Sequence, residues 1–367
     1  MINVTKTDLP SLSIYNKYLK KIWLSGWVTN NGEHVQLLTS QLSKYLGVKN
    51  ISLVANGTLA LQLSIKALDL HGEIITTPFT FAATTNAILW GGAVPVFADI
   101  NPHTFNLSPE DAEKKITKKT SAILAVHVYG NPCDVVRLET IGRKYKIRII
   151  YDAAHAFGVH YNGKPILRYG DISTLSFHAT KIFHTIEGGA VIARDQKISE
   201  KLELLKDFGI LSEERITLPG INAKMNEFQA VMGLCNLKAV DKNISLREKI
   251  YNRYVKELGD IPSLKFQKLT ASLYNYSYMP VCFSSKKTRD RVFKYLLNHH
   301  IKARKYFYPL TSDFDFIYKN SVAKKAAGDL RVAKDIANSI LCLPIYSTLS
   351  LSIVDKIITL IKKAVTK

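Results

Sequence analysis

Cysteine is scarce in this sequence, and the few cysteines lack the spacing that binds metals or builds disulfide frameworks. Cys133, Cys235, Cys282 and Cys342 form no CxxC pair and stand beside no histidine cluster. Neither a zinc site nor a disulfide-stabilised secreted fold is therefore indicated. We expect a protein that works in the reducing cytoplasm and binds no metal.

Long apolar runs and glycine-rich dinucleotide loops are also missing. The N-terminal segment MINVTKTDLPSLSIYNKYLKK has no uninterrupted apolar core of the kind found in signal peptides, and no later run approaches the ~20 apolar residues of a membrane span. We therefore expect no membrane partner. The lack of GxGxxG after a predicted strand disfavours a dinucleotide-dependent oxidoreductase.

Acidic residues are outnumbered by basic ones. The chain has 50 Lys and Arg against 30 Asp and Glu, a formal net charge of +20. The basic residues are spread along the chain, which is typical of a lysine-rich solvated surface. A positive field that attracts anionic small substrates is a second interpretation. Nucleic-acid binding is a third, but no binding module is recognisable, so we expect no nucleic-acid partner.

The sequence does contain the alternating strand and helix patterns that are typical of an α/β protein. With 367 residues, 47% of them hydrophobic, the chain is long enough for two domains. From residue 49 to about 207, short β-branched runs alternate with helical patterns, which predicts a parallel sheet covered on both faces. The predicted strands are ISLVAN, EIITTP, VPVFADI, SAILAVHV, IRIIYDA, STLSFH and GAVIAR.

The C-terminal third has a different pattern. After a predicted helix over 225–240, Lys-rich helices and a few strands such as YSYMPVCF indicate a smaller α+β domain. We place a large domain at residues 1–240 and a small domain at residues 241–367. The extreme N-terminus is a candidate to pack on the small domain.

Asn56-Gly57-Thr58 follows the first predicted strand and precedes a predicted helix that begins at Leu59. A helix N-terminus offers free backbone N–H groups, so glycine and a threonine hydroxyl there can form a phosphate seat. An ordinary turn with Thr58 as the N-cap explains the same residues.

Two further segments contain side chains typical of catalytic sites. Asp152 ends the apolar strand IRIIYDA, at the edge where open α/β sheets bind ligands, although it could simply cap the next segment. Lys181 follows the strand that ends near Ser176. A lysine in a cleft can lose solvation and become nucleophilic, whereas most lysines only face solvent.

Several segments in a shared order carry a family resemblance: SGWVTNNG (25–32), NGTLAL, TTPFTFAATTNAI, AVHVYGNP, DAAHAFG, SFHATKIFHTIEGGAV, NAKMNEFQA, YFYPL (306–310) and LCLPIYS. They resemble the sugar-nucleotide aminotransferases of the DegT/DnrJ type, and most of all those that act on dTDP-linked keto-6-deoxyhexoses. The resemblance implies the fold-type I architecture of pyridoxal-phosphate enzymes. In that fold, a large domain with a central, mostly parallel seven-stranded sheet is joined to a smaller α+β C-terminal domain.

The resemblance also implies the main catalytic roles. Lys181 corresponds to the lysine that binds the cofactor covalently, and Asp152 to the carboxylate that keeps the pyridine nitrogen protonated. Gly57, Thr58 and Ser176 correspond to residues that bind the cofactor phosphate. The implied cofactor is pyridoxal 5′-phosphate, with pyridoxamine phosphate as its amino form during the reaction.

Three further cofactor contacts are implied. Phe81 corresponds to the aromatic residue against the ring face, and His155 to the residue that contacts the phenolic oxygen of the ring. Asn222 corresponds to an asparagine that reaches the phosphate in the neighbouring subunit, which implies a homodimer with shared active sites. The common family pattern has Tyr and Arg where this chain has Ile221 and Lys224.

The segment IKARKYFYPL (301–310) lies at the active-site mouth in relatives. On this basis Arg304 and Tyr308 are candidate contacts for the substrate, together with Glu187 from the SFHATKIFHTIEGGAV segment. The alternative is a basic solvated loop whose aromatic residues pack in the core.

The implied reaction moves an amino group from L-glutamate to a nucleotide-linked keto-sugar. We predict dTDP-4-keto-6-deoxy-D-glucose, aminated at carbon 4 to give dTDP-4-amino-4,6-dideoxyglucose, for lipopolysaccharide or O-antigen synthesis. Amination at carbon 3 of a dTDP-3-keto-6-deoxyhexose is the alternative. Dehydratases of the family have histidine in place of the lysine, so Lys181 favours transamination. A non-catalytic binding or regulatory protein is a remote alternative, because the catalytic residues are retained.

Overall fold

Seven strands between residues 51 and 193 form the central sheet. The computed structural model describes residues 1–319 and 329–366. In spatial order the strands are β1 (Ile51–Val54), β9 (Gly189–Ala193), β8 (Ile172–Ser176), β5 (Arg148–Asp152), β4 (Thr120–Val126), β2 (Glu73–Thr76) and β3 (Val94–Phe97). β9 is antiparallel to both of its neighbours, and the other neighbouring pairs are parallel. The predicted α/β class with a mostly parallel seven-stranded sheet is confirmed.

Helices cover both faces of this sheet. They are α2 (Glu33–Leu46), α3 (Gly57–Ala67), α4 (Ala82–Trp90), α5 (Pro109–Lys114), α6 (Val135–Tyr145), α7 (Gln196–Leu205) and α8 (Glu227–Leu237), and a further helix, α1 (Leu12–Ser25), packs against α8. In β4, Ile123 packs in one core cluster with residues of α2 and α6, whereas Leu124 packs in another with residues of α3 and α4. Strands buried on both faces have continuous apolar sequences, as this one does.

A second, three-stranded antiparallel sheet lies in the C-terminal part. Its strands are β12 (Leu264–Phe266), β13 (Met279–Phe283) and β14 (Ile340–Leu343). The helices of this part are α9 (Val240–Leu258), α10 (Lys286–Asn298), α11 (Asp315–Lys319), α12 (Arg331–Ser339) and α13 (Leu351–Val365). The domain boundary near residue 240 stays a prediction.

The first residues of the chain are hydrogen bonded to this C-terminal part. The amide of Ile2 donates to the carbonyl oxygen of His300 at 2.8 Å, and the amide of Lys302 donates to the carbonyl oxygen of Ile2 at 2.8 Å. Two residues on, the carbonyl oxygen of Val4 accepts from the amide of Ile345 at 3.1 Å. These bonds tie the start of the chain to the segments that follow α10 and β14.

The structure differs from the sequence-based expectation in local details. The helix expected to begin at Leu59 begins at Gly57, and its N-cap is Asn56, not Thr58, because the Asn56 side chain accepts from the Leu59 amide at 2.9 Å. Two hairpins were not predicted because their strands have only two or three residues: β6 (His160–Tyr161) with β7 (Lys164–Pro165), and β10 (Ile210–Ser212) with β11 (Arg215–Ile216). Among the described helices, none has the length and apolarity needed to cross a bilayer.

Candidate active site

A pocket of about 290 Å³ lies where β5 and β8 end and α3 and α4 begin. Parallel strands bring their carboxyl ends to one edge of the sheet, and open α/β sheets bind ligands there. Most of the predicted site residues line this pocket: Gly57, Thr58, Phe81, Asp152, His155, Ser176, Lys181, Glu187 and Arg304. Asn222 and Tyr308 are not among the lining residues.

The N-terminus of α3 and the end of β8 form one wall of the pocket. Asn56 caps the helix, so the first backbone N–H groups of Gly57 and Thr58 come next to Ser176. A β-carbon on Gly57 would lie 2.8 Å from the β-carbon of Ser176, closer than real side chains approach. Free amides, the positive end of the helix dipole and two hydroxyl groups are suited to a phosphate dianion.

Asp152 is buried at the end of β5, with 6% of its surface exposed. Its Oδ2 accepts a hydrogen bond from Thr84 Oγ1 at 2.8 Å, and its Oδ1 accepts from the Ala154 amide at 3.1 Å. Burial raises the pKa of Asp152, against the opposing effects of these two hydrogen bonds and of Lys181. Since burial disfavours a lone carboxylate, a cationic ligand atom beside it would be stabilised.

Lys181 follows β8 in a turn in which its amide donates to the His178 carbonyl oxygen at 2.8 Å. The pKa of Lys181 is lowered to about 8, mainly because burial removes solvent from the amine; nearby Asp152 opposes this shift, and Arg304 adds to it. A substantial fraction of the amine is therefore neutral in mildly alkaline solution. A neutral amine is the nucleophilic form of lysine.

His155 is buried, with 6% of its surface exposed. Burial, assisted by the charge of Lys181, lowers the pKa of His155 well below its usual value, so the imidazole is neutral near pH 7. Its Nδ1 has no hydrogen-bond partner in the described part of the chain. A ligand with a polar atom in the pocket can supply that partner.

The rim of the pocket carries the other predicted residues. Phe81, the N-cap of α4, is 53% exposed, so one face of its ring is open to a ligand. Arg304 is exposed and its guanidinium lies 4.0 Å from the centre of the Tyr306 ring. The Glu187 carboxylate lies 3.5 Å from Nε2 of His178.

Tyr308 and Asn222 lie away from the pocket lining. The Tyr308 ring packs against α10, with the Arg289 guanidinium 5.2 Å and the Lys286 amine 5.7 Å from its centre. Asn222 lies in an exposed position, where its backbone pairs with Asp207. Neither residue lines the pocket, and the predicted role of each as a contact stays a prediction.

Comparison with known proteins identifies the family. The model of the "DegT/DnrJ/EryC1/StrS aminotransferase family" matches residues 13–362. The chain belongs to this family.

Relatives of this DegT/DnrJ/EryC1/StrS aminotransferase cover nearly its full length. The dTDP-4-amino-4,6-dideoxy-D-glucose transaminase of Shigella dysenteriae is 41% identical over 99% of this chain and 98% of the relative. The structure of DesI in the presence of its TDP-sugar product has a TM-score of 0.92 and 30% identity, covering 100% of this chain and 93% of DesI. The structure of NtdA from Bacillus subtilis with bound cofactor PMP has a TM-score of 0.89 and 25% identity, covering 97% and 82%.

The pocket of this DegT/DnrJ/EryC1/StrS aminotransferase fits pyridoxal phosphate group by group. The phosphate matches the α3 N-terminus and the Ser176 hydroxyl, and the aldehyde matches the partly buried amine of Lys181. The pyridine nitrogen matches buried Asp152. The phenolic oxygen matches Nδ1 of His155, a buried atom that lacks a hydrogen-bond partner among the described residues. These residues can therefore hold the cofactor.

Several residues that complete the pocket were missed by the sequence analysis. Thr80 and Thr84 lie one turn apart, and their hydroxyl groups are 2.7 Å apart, so Thr80 can support the hydrogen bond from Thr84 to Asp152. The repeated threonines of TTPFTFAATT could have indicated this relay. Tyr306 and Phe307 also line the pocket; they belong to the 301–310 segment that the resemblance placed at the mouth, although neither was named as a site residue. Tyr278 lines the pocket as well, and no local pattern indicated it.

Proposed function

We propose that this aminotransferase uses pyridoxal phosphate to transfer an amino group from L-glutamate to carbon 4 of dTDP-4-keto-6-deoxy-D-glucose. The product is dTDP-4-amino-4,6-dideoxy-D-glucose. One observation carries the chemistry: a lysine with a lowered pKa, a buried carboxylate and a helix N-terminus line one pocket. The choice of sugar and carbon is supported by the name of the relative that is 41% identical over nearly the whole chain.

Lys181 is the proposed nucleophile and proton carrier. When bound, pyridoxal phosphate supplies an aldehyde that bonds covalently to amines and a ring that accepts an electron pair. Nζ of Lys181 takes the proton from the α-carbon of glutamate and, in the second half-reaction, delivers a proton to carbon 4 of the sugar. The pKa of about 8 suits both tasks, because the amine can be neutral or charged near neutral pH.

Asp152 and His155 are the proposed polar contacts of the ring. Thr84 and Ala154 fix both carboxylate oxygens of Asp152, so the charge is held in one orientation opposite the ring nitrogen. His155, neutral and buried, offers Nδ1 to the phenolic oxygen. Phe81 is proposed to lie against the ring face, since its own ring is half exposed at the pocket rim.

Arg304 and Glu187 are the proposed contacts of the sugar nucleotide at the mouth. The Arg304 guanidinium is exposed and lies over Tyr306, which leaves its charge available to a diphosphate. Glu187 follows Lys181 closely in the sequence, is exposed, and can accept hydrogen bonds from sugar hydroxyl groups. Tyr308 packs against α10, so its proposed contribution is to hold the 301–310 segment in position.

We propose in addition that the active unit is a homodimer. Large apolar side chains are exposed on α1 and just after it, with Trp23 72% and Leu24 89% exposed. Ile221, beside Asn222, is exposed as well. Apolar surface of this kind is typical of an interface. In such a dimer Asn222 of one subunit would bind the cofactor phosphate of the other.

The test is a visible spectrum of the protein loaded with pyridoxal phosphate. We expect a visible band that bleaches when glutamate is added and returns when dTDP-4-keto-6-deoxy-D-glucose follows. NMR of the sugar product should show nitrogen on carbon 4. Bleaching without recovery would refute the sugar but not the class. The absence of a visible band after loading would refute the whole proposal.

A further inference from the structure

Tyr278 links the three-stranded sheet to the pocket. It lies just before β13, yet its side chain lines the pocket at the ends of the central strands. The Tyr278 hydroxyl lies 3.4 Å from Nε2 of His155, and the two ring centres are 4.7 Å apart. Tyr278 is 7% exposed and His155 is 6% exposed, so water has little access to either side chain.

The segment around Tyr278 also fixes the backbone of His155. Nδ2 of Asn275 and Oγ of Ser277 donate to the His155 carbonyl oxygen at 2.8 and 3.1 Å. The ring of Phe307 is parallel to the imidazole within 2°, with the ring centres 6.0 Å apart. The imidazole is thus held in one place, with its Nε2 toward Tyr278.

The two nitrogens of His155 have different surroundings. Nε2 has the Tyr278 hydroxyl, whereas Nδ1 is buried without a hydrogen-bond partner in the described residues. A neutral imidazole carries one proton, and the partner of one nitrogen decides which nitrogen carries it. Burial raises the pKa of Tyr278, so this hydroxyl keeps its proton and can donate it.

We propose that Tyr278 is a positioning residue that acts through His155. Its hydroxyl donates to Nε2 and so fixes the imidazole proton on Nδ1, where it can be donated to an anionic oxygen of the bound cofactor. The inference rests on the proposed function, in which His155 contacts the phenolic oxygen. With the proton on Nε2 instead, Nδ1 would turn a lone pair toward that oxygen and repel it.

Charged and titratable groups face this pair from several elements. They are Lys181 after β8, Asp152 at the end of β5, Arg247 on α9, Arg304 in the 301–310 segment, Cys342 on β14, and the tyrosines Tyr129 and Tyr306. The substitution Tyr278→Phe alters none of these groups and keeps the ring. An effect of this substitution therefore reports the lost hydroxyl group.

The first test reads the tautomer directly in the cofactor-free chain. Nitrogen-15 NMR of histidine-labelled protein distinguishes Nδ1–H from Nε2–H, and the His155 signals are those lost in His155→Gln. We expect Nδ1–H in the unaltered chain and loss of that preference in Tyr278→Phe. Tyr276→Phe is the matched control, because the Tyr276 hydroxyl binds Glu248 at 2.7 Å and lies outside the pocket lining. An Nε2–H tautomer in the unaltered chain would overturn the inference.

The second test follows the visible band of the cofactor-loaded protein against pH. A donor to the phenolic oxygen withdraws charge from it and weakens its hold on the proton at the Lys181 nitrogen. Tyr278→Phe should therefore raise the midpoint of the spectral titration by about one pH unit, a tenfold change in proton affinity. Tyr276→Phe should leave the midpoint unchanged.

A double-substitution cycle separates action through His155 from direct action. In the His155→Gln background there is no tautomer to fix, so adding Tyr278→Phe should produce no further shift. An equal shift in both backgrounds, or none in either, would overturn the inference. If the protein bound no pyridoxal phosphate at all, the proposed function would fail, and the NMR of the cofactor-free chain would still decide the tautomer.

Discussion

Gly57 and Ser176 approach so closely that a β-carbon on residue 57 would lie 2.8 Å from the β-carbon of Ser176 and 3.1 Å from its hydroxyl oxygen. This contact joins the first turn of α3 to the end of β8. It sets the width of the proposed phosphate seat, because the helix amides and the serine hydroxyl lie on its two sides. Glycine is required here because a side chain would not fit, and not because of an unusual backbone angle, since the φ of Gly57 is not positive.

Gly57→Ala should weaken binding of pyridoxal phosphate by at least tenfold, about 1.4 kcal/mol. At an unstrained helix position, replacing glycine by alanine stabilises a protein. A loss of cofactor affinity would therefore report the steric contact with Ser176. Fluorescence titration of the cofactor-free protein measures the affinity. In a Ser176→Gly background the two side-chain contacts are removed and only the Cα of residue 176, 3.2 Å away, remains, so adding Gly57→Ala should then cost less. A full tenfold loss in that background would contradict the steric explanation.

The low pKa of Lys181 predicts how fast the cofactor attaches at each pH. The rate of appearance of the visible band should rise with pH and level off above about 8, because only the neutral amine attacks. Arg304 contributes to the lowered pKa, so Arg304→Gln should move the midpoint of this rise to higher pH. Lys302→Gln, which removes an exposed cation outside the pocket lining, should leave the midpoint in place. A shift to lower pH in Arg304→Gln would contradict the assignment.

Thr84→Val should move the acid limb of the pH–rate profile to higher pH. The hydrogen bond from Thr84 lowers the pKa of Asp152, so its loss raises that pKa, and the required carboxylate is protonated earlier as the pH falls. We expect a shift of up to about one pH unit in kcat/KM. Thr85→Val is the matched control, since Thr85 is the next residue on α4 and its hydroxyl binds Thr311 at 2.8 Å. Equal shifts in both variants would indicate a general effect on α4.

Mixing two inactive variants should restore activity if the sites are shared between subunits. Lys181→Ala removes the proton carrier of its own site, whereas Asn222→Ala removes the proposed phosphate contact of the partner's site. In a hybrid dimer one site carries both lesions and the other carries neither. Random reassociation should then give about a quarter of the normal activity at limiting cofactor. No recovery in mixtures shown to contain hybrids would place Asn222 outside the partner's site.

The strands of the central sheet could be predicted because the apolar pattern of each strand lies within one short stretch of sequence. Strands buried on both faces, such as β4, are short apolar runs between helical patterns, and all seven predicted strands correspond to strands of the sheet. Asp152 and Lys181 were found because each follows such a run. The resemblance then placed Gly57, Phe81, His155 and Arg304, which the structure gathers around the same pocket.

What the sequence analysis missed depends on contacts between distant residues. Tyr278 is 123 positions from His155, and Thr84 is 68 positions from Asp152, so no local periodicity connects either pair. Arg304 lines the pocket and Tyr308 does not, because Arg304 is held by backbone hydrogen bonds to Cys342 at the edge of the three-stranded sheet. That pairing depends on a strand nearly forty residues further along the chain.

The pairing of Ile2 with His300 and Lys302 has a consequence for synthesis on the ribosome. The hydrogen-bond partners of Ile2 are translated about three hundred residues after it, an interval of tens of seconds at the usual rate of translation. During that interval the central sheet can form, while the N-terminal residues have no strand to join. The segment around Ile2 is therefore secured only after residues 300–302 have emerged from the ribosome, when the strands of the central sheet have already been synthesised.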